Sequence, residues 1–223
     1  MSRQHGETTT MKTLYIFLTR SGTLLSNLVY SLTGAQYTHI SLAFDEDLST
    51  LYSSTRKNGY TMFPAGPSRE YLNRGVFLMR ENIPCALYAL EVTDEAYTRA
   101  KRRTQHMMHH GELYRFNSLG LLLCWMHIRW QRRRHYFCSQ FVSEVLQKSG
   151  ALELPKPSTL MHPSDYAELP SCAASTAVRW PAAPAPEHGA GRGGERHGPL
   201  PERPSGGCEG QSASAVLIFS KIC

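Results

Sequence analysis

The 223-residue chain is short of cysteine and shorter still of cysteine patterns. Its six cysteines (Cys85, Cys124, Cys138, Cys172, Cys208 and Cys223) form no CxxC pair and no zinc-ligand spacing. That excludes a disulfide-stapled scaffold and a structural zinc module. Long apolar runs are also missing. A membrane-spanning helix needs about 20 apolar residues, whereas Leu119–Met126 is soon followed by His127, Arg129 and the run Arg132–Arg134. Near the N-terminus, Leu14–Leu18 gives way at once to Thr19, Arg20 and Ser21. This is too short for the roughly 7–15 apolar residues of a secretory signal. The reading is a soluble protein of a reducing, cytoplasmic compartment, without a transmembrane segment.

What is present suffices for a core. Hydrophobic residues make up 41% and charged residues 19%, which argues against wholesale disorder. The formal charge of +6 permits an anionic partner without requiring one. Residues 1–11 read as a polar leader, residues 12–170 as one domain, and residues 171–223 as a disordered tail. The tail is rich in Ala, Gly and Pro and lacks apolar periodicity, so it buries too little to offset chain entropy.

Within the domain, Leu14–Leu18, Tyr37–Phe44, Leu51–Arg56, Gly75–Arg80 and Cys85–Val92 read as strands. Asn58–Pro67 reads as a loop, punctuated by Gly59, Pro64, Gly66 and Pro67. Helices are expected over Thr23–Leu32, from the Thr93 cap to about His110, over 117–130, and over Phe137–Ser149 before Gly150. The fold class is α+β, a small antiparallel sheet packed against helices.

Cys138 carries the most chemical information. Phe141, Val142, Val145 and Leu146 follow it by three, four, seven and eight positions and share its helix face. A core-facing cysteine at a helix N-terminus meets free backbone N–H groups and the positive end of the macrodipole. These favour a thiolate and can receive an oxyanion, with the N–H of Ser139 among the donors. The competing reading is a small buried core cysteine. His39 is the natural base. In Tyr37-Thr38-His39-Ile40-Ser41-Leu42-Ala43-Phe44, strand alternation sets His39 beside Ser41 and apart from Ile40 and Leu42. The competing reading is a half-buried sheet histidine.

Together these motifs resemble the circularly permuted papain-like hydrolases of the NlpC cell-wall peptidase superfamily. Their relatives include YiiX/YaeF-like proteins and, distantly, lecithin–retinol acyltransferase. The resemblance rests on Tyr37-Thr38-His39-Ile40-Ser41-Leu42, on Phe137-Cys138-Ser139-Gln140-Phe141-Val142, and on the histidine preceding the cysteine. The strand Leu51–Arg56 and the segment His162-Pro163-Ser164-Asp165-Tyr166 add to it. It implies a permuted papain-like fold and thiol acyl chemistry through a thioester, as an amidase or peptidase or in acyl transfer. The substrate would be a peptide, a cell-wall fragment, or a lipid amide or ester. It implies no cofactor.

The resemblance also implies a third polar residue on the strand after the histidine strand. Leu51-Tyr52-Ser53-Ser54-Thr55 holds neither acid nor histidine, so Ser53 is the best match. A serine brings no negative charge to an imidazolium. Tyr114, with Tyr37 as an alternative, matches the tyrosine that assists oxyanion binding.

Two further clusters stand out in the sequence. His106 and His110 are spaced i,i+4, but no Glu sits between them in the HExxH sense, and a third ligand is lacking. No metal is expected. Arg99, Lys101, Arg102, Arg103 and Arg132–Arg134 read as solvated faces, without a nucleic-acid motif. The alternative to an enzyme is an inactive member of the same fold, or a basic module for anionic partners.

Overall fold

The computed structural model describes residues 10–20, 24–56, 65–74, 77, 83–170 and 176–180. The architecture is mixed α+β. Strands β1 (Met11–Thr19), β2 (His39–Ala43), β3 (Leu51–Arg56), β4 (Ala65–Glu70), β5 (Ile83–Thr93) and β8 (Thr176–Trp180) form an antiparallel sheet in the order β4-β3-β2-β1-β5-β8. Two short strands, β6 (Arg115–Phe116) and β7 (His135–Tyr136), pair in parallel beside it. The helices are α1 (Leu24–Thr33), α2 (Asp94–His109), α3 (Ser118–Trp125) and α4 (Cys138–Ser149).

The sheet forms where period-2 burial is strongest. Leu14, Ile16 and Leu18 of β1 stand opposite Leu90, Tyr88 and Ala86 of β5, and Ile16 and Leu18 stand opposite Leu42 and Ile40 of β2. All of these join the buried cluster that includes Phe141, Val142, Val145 and Leu146 of α4. Each such side chain contributes about 1.5–3 kcal/mol by leaving water. That outweighs the modest helix-propensity cost of Phe and Val in α4. Helix α2 starts where Thr93 Oγ1 accepts from the Ala96 N–H at 3.2 Å, with Asp94 and Glu95 in its first turn. Helix α4 ends at Gly150, whose φ of 74° an L side chain rarely adopts.

The segment after α4 ties the site elements together. Tyr166 is fully buried and shares a 2.7 Å hydroxyl hydrogen bond with Ser143 of α4. Ser164 Oγ accepts from the Tyr37 N–H and donates to the Tyr37 carbonyl, both at 3.2 Å. One stretch of chain thereby fixes α4 and the approach to β2.

Three expectations differ from the structure. The loop expected over 58–67 gives way at Ala65 to β4, despite Gly66 and Pro67. This strand lies at the sheet edge, where proline's missing N–H is tolerated. A Cβ on Gly66 would come within 3.0 Å of the Tyr114 carbonyl oxygen, so close backbone approach selects glycine there. The helix expected over 117–130 ends at Trp125. Past residue 170, the segment read as tail supplies β8, paired with Ile83–Leu87 of β5. Backbone ladder bonds form there without the apolar periodicity that would announce a strand. The other tail residues from 171 onward, residues 1–9 of the expected leader, and the expected strand at 75–80 apart from Phe77 lie outside the described residues. Among the described residues, no helix is long and apolar enough to cross a membrane.

Candidate active site

His39 opens β2, opposite Thr19 of β1. Its Nε2 lies 3.0 Å from both carboxylate oxygens of Glu70, the last residue of β4. Ser41, two residues along β2, donates from Oγ to Glu70 Oε2 at 2.6 Å and lies 3.3 Å from His39 Nε2. Strand alternation explains why Ser41 and His39 reach one carboxylate while Ile40 and Leu42 enter the core. His39 and Glu70 side chains are only 16% and 15% exposed, so water screens their attraction weakly.

Cys138 is the first residue of α4 and is 8% exposed. Its thiol neighbours the His39 imidazole and helps to stabilise the imidazolium. Since Glu70 engages Nε2, Nδ1 is the nitrogen available to the sulfur. The N-cap residue, Phe137, offers no side-chain acceptor, so the first-turn N–H groups of α4 are not consumed by a cap. Beside Cys138, the Ser139 hydroxyl donates to the Met161 carbonyl at 2.6 Å. Only the backbone N–H of Ser139 is then available to an oxyanion.

Electrostatics follow from this packing. Burial disfavours the His39 imidazolium. The nearby Glu70 carboxylate and the hydrogen bonds to Cys138 and Glu70 outweigh it, holding the His39 pKa well above the usual histidine range. Burial likewise opposes the Glu70 carboxylate. The His39 charge and hydrogen bonds from His39 and Ser41 prevail and lower its pKa. The pair is therefore ionic near neutral pH.

Of the residues read from the sequence, Cys138 and His39 come together. Ser53 does not join them: its buried Oγ donates to the Ile40 carbonyl at 2.7 Å, and the group that holds the imidazole is Glu70. The physical reason is the sheet order. β4 follows β3 at the edge and carries its carboxylate back to β2, while the Ser53 hydroxyl is consumed by a backbone acceptor. Tyr114 packs its ring 6.1 Å from that of Tyr136, and among the described residues no hydrogen bond joins it to Cys138 or His39. The Tyr37 hydroxyl accepts from Gln36 Nε2 at 3.1 Å. Glu70 and Ser41 were missed. Ser41 was already on the histidine's side of the strand pattern. Glu70 follows Gly66 and Pro67, whose turn signals hide a strand.

Cys124 makes a useful contrast. It is fully buried in α3, with Sγ 3.6 Å from His162 Nε2. Burial pushes its thiol up to about 12. His162 is itself lowered, chiefly by burial, and so is a poor cation for a thiolate partner. His106 and His110 stack with ring centroids 4.6 Å apart, and among the described residues no three His, Cys, Asp or Glu side chains gather as a metal site. A cavity of about 400 Å³ is lined by Arg129, Gln131, Gln147, Lys156 and neighbours, and none of Cys138, His39 or Glu70 borders it.

No protein-family model, curated protein or solved structure matches the chain.

Proposed function

We propose that the chain is a cysteine-dependent acyl hydrolase or acyltransferase of circularly permuted papain-like, NlpC-type architecture. Cys138 is the nucleophile, His39 the general base and Glu70 the residue that orients and charges the imidazole. The observation that carries the reading is the Glu70 carboxylate 3.0 Å from His39 Nε2, with the Cys138 thiol beside the same ring. Nucleophile, base and orienting group then stand in the order that thiol catalysis requires.

The chemistry proceeds in two halves. The sulfur, its proton already held on the His39 imidazole, attacks the carbonyl carbon of an amide or ester. First-turn N–H groups of α4, including that of Ser139, hold the oxyanion. As the tetrahedral intermediate collapses, the His39 proton passes to the leaving amine or alcohol, and the acyl group stays on sulfur as a thioester. Water, or an acceptor hydroxyl or amine, then gives its proton to His39 and attacks. Cys138 is released as the thiolate, with the proton left on His39. Throughout, Glu70 stabilises the imidazolium, which Ser53 would not do. This favours an active enzyme over an inactive member of the same fold.

The test is labelling with a thiol-directed acyl probe, followed by peptide mapping. Adduct on Cys138 that disappears in Cys138→Ala and persists in Cys124→Ala supports the reading. Adduct spread equally over Cys124 and Cys138 contradicts it.

A further inference from the structure

Helix α3 displays an apolar face that nothing in the described structure covers. Leu119, Leu122, Trp125 and Met126, with Ile128 just beyond, are 38% to 52% exposed. At 100° per residue Leu119, Leu122 and Trp125 share one face with the C-cap Met126, while Gly120 and Cys124 on the opposite face are buried. The buried face is anchored. Asn117 Nδ2 donates to Gln140 Oε1 of α4 at 3.2 Å, and Asn117 Oδ1 accepts from the Gly120 N–H at 3.0 Å. The exposed face extends onto α1, where Leu32 is 42% exposed. Trp125 Nε1 donates to the Leu32 carbonyl at 3.0 Å, joining the two helices into one patch. Contiguous exposed apolar surface of this kind marks an interaction site.

Charge around the patch decides what it meets. Between Glu112 and Glu144 the sequence contains five arginines and no acid. Arg115 precedes α3, and its N–H donates to the Arg134 carbonyl at 3.0 Å. Arg129, Arg132, Arg133 and Arg134 follow it, all exposed. Arg134 thereby returns beside Arg115 at the start of α3, and Arg129 follows its end, so cations flank an apolar helix that carries an exposed tryptophan. Exposed leucines and a tryptophan beside arginines suit a lipid–water interface, with apolar side chains in the acyl boundary and arginines at the headgroups. A nucleic acid would offer phosphates to the arginines and nothing to the leucines.

We propose that α3 and the arginines flanking it dock the protein on the surface of an anionic membrane. Asn117, which caps α3, is hydrogen-bonded to Gln140 of α4, two residues after Cys138, so docking sets the N-terminal end of α4 close to the lipid surface. The proposal rests on the patch, and membrane docking is independent of whether Cys138 is catalytic.

The experiment is co-sedimentation of the full chain with vesicles of phosphatidylcholine alone, or of phosphatidylcholine with phosphatidylglycerol. Binding is expected only when phosphatidylglycerol is present, and it should weaken as salt screens the arginines. An arginine at an anionic surface is worth about fivefold in affinity. Arg132→Glu with Arg133→Glu should therefore weaken binding by at least roughly 25-fold. Leu122→Glu should abolish it while leaving the far-ultraviolet circular dichroism unchanged, because position 122 faces solvent. Cys138→Ala should bind as wild type does, and Leu122→Glu should keep its thiol labelling, which separates this proposal from the catalytic one. Equal sedimentation with and without phosphatidylglycerol would overturn it. So would binding that survives both variants, or self-association abolished by Leu122→Glu with no vesicle binding.

Discussion

His39 and Glu70 are joined across the sheet: both carboxylate oxygens of Glu70 lie 3.0 Å from His39 Nε2, although 31 residues and one intervening strand separate them. The pairing gives the imidazole both an orientation and a charge. It also leaves the second ring nitrogen to Cys138.

Glu70→Gln should lower the rate of Cys138 acylation at pH 7 by roughly 10- to 100-fold, since it removes the charge that stabilises the imidazolium. Ser53→Ala should change that rate by less than about twofold and should instead cost about 1–2 kcal/mol of stability, because the buried Ile40 carbonyl loses its 2.7 Å donor. Stopped-flow acylation and urea unfolding of the two variants check the division of roles. Equal rate losses would contradict it.

The ion pair gives stability a defined pH window. His39 has a raised folded pKa, so its contribution is complete below the unfolded value near 6.5 and is lost as pH rises through the folded value. Glu70 has a lowered folded pKa, so its contribution is complete above the unfolded value near 4.5 and is lost as pH falls through the folded one. The Tm difference between wild type and Glu70→Gln should be largest between these two values. It should shrink on either side. A difference that keeps growing from pH 6.5 to pH 9 would contradict the assignment.

Cys124 should be inert. With its thiol pushed up to about 12, only about one molecule in ten thousand carries the thiolate at pH 8. Iodoacetamide at pH 8 should label Cys138 well ahead of Cys124, as read by peptide mass mapping. Comparable labelling of the two in the folded chain would contradict this.

Gly120→Ala should weaken the junction of α3 with α4. A Cβ there would overlap the Asn117 side-chain amide, forcing aside the side chain that caps α3 and donates to Gln140. The loss should be about 1–2 kcal/mol, the usual cost of a lost cap, measured by urea unfolding. An unchanged midpoint would show that Asn117 moves freely.

Much of this was legible in residue order. The 3,4,7,8 spacing after Cys138 announced α4 and its buried face. The alternation from Tyr37 to Phe44 set His39 apart from Ile40 and Leu42. The Thr93 cap opened α2. What stayed hidden was long-range. Gly66 and Pro67 spell a turn locally, and only the sheet edge and the close Tyr114 backbone make them part of a strand. Glu70 was hidden with that strand. Ser53 stands one strand after His39 in sequence order, but a strand's order does not say which backbone acceptor will consume its hydroxyl.

The measurement that bears most directly on the account is the alkylation rate of Cys138 at pH 7 in wild type and in His39→Ala, with folding of both verified by circular dichroism. If His39 is the base, the rate should fall by at least about tenfold in the variant. It should fall further behind wild type as the probe becomes a weaker electrophile. Equal rates in two folded proteins would make Cys138 an ordinary core cysteine and would contradict the catalytic reading.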